Sequence, residues 1–259
     1  MDPGFRSPLL DFFRRGEVAK DVRMLAAEGA LAPRAHEQVA LLVLLADDPD
    51  EEIARMTNVT LARLPERPLR SFLARSDVST EIRRFFAARG IEPAESPGTD
   101  EFLEPLLDTL QGLPEGSAGE EPGAAEPKLL SSLPIIDRMK LAIKGSREQR
   151  SALIRDANKL VAAAVLSSPK LTDAEVEAFT RMGNISEDVL RTIGMNRSWT
   201  KNYGIIVGLC RNPKTPPGIS MTMVHRVNER DLKMLSIDRN VPEALRLAAR
   251  KIVTKGRLG

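Results

Sequence analysis

Three short segments in the C-terminal half of the chain share one pattern: each ends an apolar run and starts the next one. They are Ser168-Pro169-Lys170-Leu171-Thr172, Asn212-Pro213-Lys214-Thr215-Pro216 and Asp238-Arg239-Asn240-Val241-Pro242. A helix stop followed at once by an N-cap residue or a proline is how helical repeats turn a corner. Between these corners lie windows of about ten to fifteen residues with apolar residues at helical spacing. The pattern predicts stacked short helices and an all-α fold.

The corners do not recur at a constant distance. The matched positions Thr172, Pro216 and Pro242 are 44 and 26 residues apart, so the repeat is degenerate, with units of varying length. Each unit leaves one apolar face open, and that face is closed when neighbouring units stack. We therefore expect an α-solenoid arrangement.

The corner motif carries a family resemblance. Asn212-Pro213-Lys214-Thr215-Pro216, followed by apolar residues at helical spacing, resembles the Asn-Pro-x-Thr-Pro corner of the leucine-rich-repeat variant, a family related in shape to HEAT and armadillo solenoids. Residues 146–253 resemble this class, and residues 17–90 resemble it more loosely through Asp48-Pro49-Asp50-Glu51-Glu52-Ile53. Residues 129–253 also resemble an uncharacterised class of bacterial helical-repeat proteins, for which the resemblance implies no activity. Some variant-repeat proteins hold a cysteine-ligated iron–sulfur cluster, but the single Cys210 cannot supply those ligands.

Charge and composition divide the chain into three parts. Residues 1–90 carry 14 basic and 14 acidic residues and predict about six helices, one of them starting at Asp48 as N-cap. Residues 91–127 have 10 acidic residues and no Lys or Arg, and most of this segment has too little to bury to offset the entropy of ordering. Residues 128–259 carry 24 basic and 12 acidic residues. We predict two short α-solenoid modules, 1–90 and 129–259, joined by a disordered acidic linker, 91–128.

One apolar island interrupts the linker. Phe102, Leu103, Leu106, Leu107 and Leu110 stand at helical spacing among acidic residues and predict a short amphipathic helix at 101–111. Two interpretations remain open: a transient helix within a linker, or a motif that docks in a groove. The opposite charges of the linker and the C-terminal module favour an intramolecular contact between them.

Residues that could support catalysis or hold a metal are sparse. His36 and His225 lie in different modules, and we expect both at the surface or on a helix face rather than at a metal site. Cys210 lies in an apolar run with no base nearby in sequence, so we expect a buried, unreactive thiol. No Gly-rich loop follows a strand pattern. The sequence therefore predicts a protein that is not an enzyme and that needs no cofactor.

The expected compartment is the cytoplasm. The N-terminal residues show no basic segment followed by an apolar one, and a single cysteine fits a reducing environment. The longest apolar run, residues 39–46, is too short to span a bilayer, so no membrane partner is expected.

One cluster combines aromatic and basic residues. The only Trp and the only Tyr of the chain stand among cations and an amide, a combination that nucleic-acid and peptide grooves use. Alternatively, Trp199 and Tyr203, four residues apart, form one helical stripe that faces the core. With nearby cations, the candidate binding surface comprises Arg197, Trp199, Lys201, Asn202, Tyr203, Arg211, Lys214, Arg226 and Arg230.

Two functions are compatible with these features. The first is a non-enzymatic interaction scaffold that binds protein or peptide partners through helical-repeat surfaces. The alternative is a nucleic-acid-binding module of weak sequence specificity, formed by the basic C-terminal repeats and masked by the acidic linker.

Overall fold

The computed structural model describes residues 7–32, 34–95, 105–107 and 130–256, and every regular element in them is helical. This confirms the predicted all-α class. None of the described helices is long and apolar enough to cross a membrane. The helices in chain order are α1 (Pro8–Arg14), α2 (Lys20–Ala27), α3 (Ala35–Leu45), α4 (Glu51–Ala62), α5 (Glu66–Leu73), α6 (Thr80–Ala87), α7 (Ile135–Lys144), α8 (Arg147–Leu153), α9 (Lys159–Ser167), α10 (Asp173–Arg181), α11 (Glu187–Met195), α12 (Tyr203–Arg211), α13 (Pro217–Met223), α14 (Glu229–Ile237) and α15 (Glu243–Gly256).

The described residues form two compact units. The first unit takes Met1–Arg150 and Ala163–Lys170, and the second takes Ser151–Ala162 and Leu171–Gly259. Helix α7 belongs to the first unit because it contacts α2, so this division does not fall at residue 129. The predicted modules 1–90 and 129–259 stay a prediction about how the chain behaves in solution.

Helix α3 lies at the centre of the first unit. It contacts α1, α2, α4 and α6, and its residues Val39, Leu41, Leu42 and Leu45 are all buried. A helix that is apolar around most of its circumference is stable only when other elements cover it. One face of α3 joins apolar residues of α4–α6 and their connections in a cluster that we call the α3–α6 cluster. It comprises Ala35, Val39, Leu42, Ala46, Leu61, Leu64, Leu69, Phe72, Leu73, Val78, Ile82 and Phe86.

One prediction for the first unit is wrong in detail, and a second gains detail. Helix α4 has Asp50 as its N-cap, not Asp48, because the Asp50 side chain accepts the backbone N–H of Glu52. Asp48 instead accepts a hydrogen bond from the Arg23 guanidinium at 2.6 Å. His36 lies on a buried face of α3, with its ring edge-on to Phe72 at 5.5 Å between centroids.

Two short pieces of the predicted linker lie within the described residues, and both contact the first unit. The Ala94 N–H donates to the carbonyl oxygen of Arg70 at 2.9 Å. Leu106 and Leu107 are partly buried against the α3–α6 cluster. Residues 105–107 form a bend and not a helix, and the rest of the helix predicted at 101–111 lies outside the described residues.

In the second unit, helices α10 to α15 pack against the next but one along the chain. Helix α10 contacts α12, α11 contacts α13, α12 contacts α14, and α13 contacts α15. Helix α12 is the most apolar of this series, with Ile205, Ile206, Leu209 and Cys210 buried. Sequential helices α12 and α13, and α14 and α15, also contact one another.

The corners of the second unit have the helix-capping geometry that the sequence predicted. Thr172 forms a complete capping box with Glu175, and the Ser186 hydroxyl accepts the N–H of Val189. The residues that directly follow α11, α12 and α14 each accept, through Oδ1, the backbone N–H two residues later; they are Asn196, Asn212 and Asp238. Asx side chains stabilise a turn in this way.

Candidate functional site

The nine residues of the candidate surface all lie in the second unit, but the structure gives them different roles. Arg197, Trp199, Lys201 and Asn202 lie in the turn between α11 and α12, while Tyr203 and Arg211 are the two ends of α12. Lys214 lies in the next corner, Arg226 lies in the 3-10 turn Val224–Arg226, and Arg230 lies on α14.

Asp231 of α14 holds two of these residues in place. Its Oδ2 accepts the Tyr203 hydroxyl at 2.6 Å, and its Oδ1 accepts the Arg211 guanidinium at 3.0 Å. The Tyr203 oxygen also accepts the backbone N–H of Asn228 at 3.3 Å. Partial burial and the hydrogen bond to Asp231 raise the pKa of Tyr203. Tyr203 and Arg211 therefore tie α12 to α14 in addition to facing solvent.

Arg226 is brought next to the turn between α11 and α12. Its guanidinium donates to the carbonyl oxygen of Thr200 at 2.6 Å, although the residue remains exposed. Lys201, which follows Thr200 directly, and Arg197 are exposed in the same turn. Three cations thus share one edge of the second unit.

Trp199 and Asn202 have local roles in this turn. Trp199 is half-buried in a 3-10 turn, and Tyr203 begins the following α-helix. The alternative in which these rings form one helical stripe is therefore wrong, because the chain changes element between them. The Asn202 side chain caps α12 by accepting the N–H of Gly204 at 2.8 Å.

The sequence around Arg197, Lys201 and Arg226, which we call the basic edge, has a further feature that marks it. No Asp or Glu occurs between Asp188 and Glu229. Over the same 40 residues the chain has six basic residues: Arg191, Arg197, Lys201, Arg211, Lys214 and Arg226. Two of them are paired with carboxylates from outside the stretch, Arg191 with Glu187 and Arg211 with Asp231.

The solvent-facing side of α14 was missed by the sequence reasoning. Arg230, Lys233, Met234 and Ile237 recur at the spacing of one helical face, and all four are exposed. Met234 is 53% and Ile237 68% exposed, although both belong to the same apolar run as the buried Leu232 and Leu235. Leu232 and Leu235 fill the core. The apolar residues of this helix thus lie on two neighbouring faces, and only one of these faces points inward.

The thiol of Cys210 is unsuited to nucleophilic chemistry. Cys210 is fully buried, and burial raises the pKa of its thiol to about 12, as expected for an unreactive cysteine. Its Sγ lies 3.9 Å from the Ser220 carbonyl oxygen. Within the part of the chain that the structure describes, no three His, Cys, Asp or Glu residues lie together in a way that could hold a metal ion.

Comparison with known proteins gives no relative. No protein-family model matches the chain, and neither a curated protein nor a solved structure is similar to it.

Proposed function

We propose that this protein is a non-enzymatic, cytoplasmic interaction scaffold whose helical-repeat surfaces bind a protein or peptide partner. The second unit supports a short α-solenoid of the leucine-rich-repeat-variant or HEAT-like type. Its helices contact each other in next-but-one order, and hydrogen bonds follow the same order, from Asn212 after α12 to Thr180 of α10 and from Arg226 before α14 to Thr200 before α12. Such stacks present extended surfaces whose established use is binding.

The observation that carries this proposal is the exposed face of α14. Two large apolar side chains, Met234 and Ile237, lie beside Arg230 and Lys233 on that face. Large apolar side chains grouped in solvent mark interaction sites, and methionine adapts to different partners. Lys233 is 2.6 Å from Glu229, whereas Arg230 extends from the same face. The matching ligand is a peptide that alternates apolar and acidic side chains.

The test uses a library of linear peptides displayed on phage and selected against the full chain. We expect the recovered peptides to combine Asp or Glu with apolar residues. Ile237→Asp should weaken their binding at least ten-fold, because it places a charge in the apolar contact and repels acidic groups. Met195→Asp is the matched control, since Met195 is 67% exposed but lies on α11. Equal binding to both variants contradicts the assignment to α14.

The basic edge favours a second candidate function, binding of a nucleic acid or another polyanion. Arg226, bonded to the Thr200 carbonyl, stands beside Lys201 in a region of 40 residues without an acidic side chain. Phosphate contacts of this kind give affinity without sequence preference. In this candidate the acidic residues of 91–127 compete with the polyanion for the basic edge.

A salt series separates this candidate from the first. We expect Arg197→Glu combined with Lys201→Glu to weaken binding of duplex DNA and to reduce the slope of log affinity against log salt by about two. The control reverses the charge of two exposed lysines on α15, with Lys251→Glu combined with Lys255→Glu. Deletion of residues 92–127 should strengthen binding at low salt. Unchanged affinity in the Arg197/Lys201 variant excludes this edge as the contact.

A further inference from the structure

Gln38 binds the backbone of a residue that is 69 positions later in the chain. Its side-chain Nε2 donates to the Leu107 carbonyl oxygen at 2.8 Å, and its Oε1 accepts the Leu107 N–H at 3.0 Å. Nε2 also donates to the carbonyl oxygen of Gly29 at 2.9 Å. Gln38 is 1% exposed, so this amide is held in position inside the first unit.

The pair of bonds to Leu107 reproduces what a neighbouring β-strand would offer. One residue gives its N–H and receives a donor at its C=O, as in a ladder between strands. Recognition by main-chain hydrogen bonds, with pockets for the side chains, is a general way of binding extended peptides. The amide of Gln38 therefore recognises backbone and tolerates any side chain on that residue except proline, which has no N–H.

The surroundings of Gln38 select apolar side chains. Leu106 and Leu107 both pack against the α3–α6 cluster. Gly29, at φ +79°, leaves open the space where a β-carbon would lie 3.4 Å from Gln38 Nε2 and 3.9 Å from Leu107 Cδ1. Both distances are ordinary van der Waals contacts, so Gly29 lies directly beside the Leu107 side chain.

We propose that Gln38, Gly29 and the adjoining α3–α6 cluster form a binding site, the Gln38 site, for an extended peptide with two consecutive leucines from a partner protein. The chain's own Leu106 and Leu107 occupy the Gln38 site and inhibit it in cis. The resident segment shows which ligand chemistry fits. Because it is tethered, its effective concentration is on the order of millimolar, so a partner must compete with it. This site lies in the first unit and is independent of the α14 face.

The direct test is binding of a fluorescent peptide with the sequence of residues 101–111 to the full chain. Leu106→Ser combined with Leu107→Ser disables the resident ligand, and this variant should bind the peptide at least ten-fold more tightly than the natural chain. A peptide N-methylated at the residue corresponding to Leu107 lacks the N–H that Gln38 accepts and should bind at least ten-fold more weakly than the unmodified one. This comparison leaves the protein unchanged, whereas Gln38 variants would also lose the bond to Gly29.

Four outcomes overturn the proposal. The first is a folded Leu106/Leu107 variant that binds no peptide, which makes the contact structural only. The second is equal affinity for the methylated and unmodified peptides, which removes the role of Gln38. If the double variant does not fold, amide hydrogen exchange in the natural chain provides the test. Excess peptide should displace the resident segment and accelerate exchange of the Leu107 N–H. An unchanged exchange rate contradicts this displacement. A dimer that forms with increasing concentration in the absence of peptide, through exchange of residues 105–107 between two chains, also overturns the proposal. In that case the occupant of the Gln38 site is a second copy of the chain.

Discussion

Gly208 faces the side chain of Thr180 so closely that a β-carbon at residue 208 would lie 1.9 Å from the Thr180 hydroxyl oxygen and 2.9 Å from its β-carbon. The contact lies where α10 packs against α12 in the second unit. Thr180 is fully buried and its hydroxyl donates to the Glu177 carbonyl oxygen at 2.7 Å, so it has little room to move away. Glycine at this position sets how near the two helices approach.

Gly208→Ala should therefore destabilise the protein, although alanine is the better helix former. Overpacking of a buried contact costs about 1–3 kcal/mol, which exceeds the gain of up to about 1 kcal/mol in helix propensity. Gly218→Ala is the matched control, because an added β-carbon there meets nothing within 4 Å, and it should be neutral or slightly stabilising. Denaturant unfolding of both variants gives the comparison. A stabilising Gly208→Ala would show that α10 and α12 are less closely packed.

Asn212 should be the most sensitive corner residue. Its Nδ2 donates to the carbonyl oxygens of Thr180 at 2.8 Å and Met182 at 3.0 Å, while its Oδ1 accepts the Lys214 N–H. Asn212→Asp keeps the acceptor but turns a carboxylate oxygen toward two carbonyls, and we expect a loss of about 2–4 kcal/mol in the free energy of unfolding.

The control for this prediction is the equivalent substitution at Asn196. Asn196 directly follows α11, as Asn212 follows α12, and its Oδ1 accepts the Ser198 N–H. An aspartate, Asp238, already fills the equivalent position after α14. Asn196→Asp should change the stability by less than about 1 kcal/mol. Similar losses at both positions would mean that the carboxylate, and not the missing donor, is responsible.

The local signals in the sequence were enough to predict the helices and corners. Thr172 and Glu175 form a capping box with each other, and Asn212 ends α12, because these interactions span only a few residues. The same signals placed the start of α4 at Asp48. The error is one of register: Asp48 accepts the Asp50 N–H at 2.9 Å in the turn before the helix and also binds Arg23, while the same kind of bond two residues later makes Asp50 the N-cap.

The candidate sites depended on information that the sequence does not contain. Met234 and Leu235 are adjacent, yet the first is exposed and the second is fully buried, because the neighbouring helices decide which apolar spacing faces inward. The link between Gln38 and Leu107 joins two positions without any local pattern. Tyr203 and Arg211 could be assigned to Asp231 only once α12 and α14 were seen together.

Cys210 should be inert in the folded protein. It is fully buried, and its raised pKa of about 12 leaves almost no thiolate at neutral pH. We expect labelling by a disulfide reagent at pH 8 to be at least about 100-fold slower than for a chain carrying Cys210→Ser and Ser198→Cys, with the thiol on an exposed turn. Denaturant should abolish the difference. Rapid labelling of the native chain would contradict the burial of α12.

Glu37 should make the stability of the protein depend on pH. The residue is 2% exposed in the first unit, next to the Ser7 and Ser167 hydroxyls, which hydrogen-bond to each other at 3.2 Å. Burial raises the pKa of Glu37 from 4.5 to about 7, and the two serine hydroxyls and Arg34 oppose this only in part. The folded state therefore holds a proton on this carboxyl over a pH range in which the unfolded chain has lost it.

The sign of the effect follows from proton linkage. Between pH 4.5 and 7 the folded state binds more protons at Glu37 than the unfolded state, so the contribution of this group makes stability fall as pH rises and become constant above about pH 8. A pKa difference of this size corresponds to about 3 kcal/mol. Glu37→Gln cannot ionise, so it should remove this slope and be more stable than the natural chain at pH 8. Glu28→Gln, at an exposed position, is the control and should leave the slope unchanged.

Burial lowers the pKa of neighbouring His36, which makes stability change with pH in the opposite direction below pH 6.5. The difference between the natural chain and Glu37→Gln, measured by urea unfolding from pH 5 to 8, isolates Glu37, and a difference that is constant across this range would show that its carboxyl is ionised in the folded state throughout.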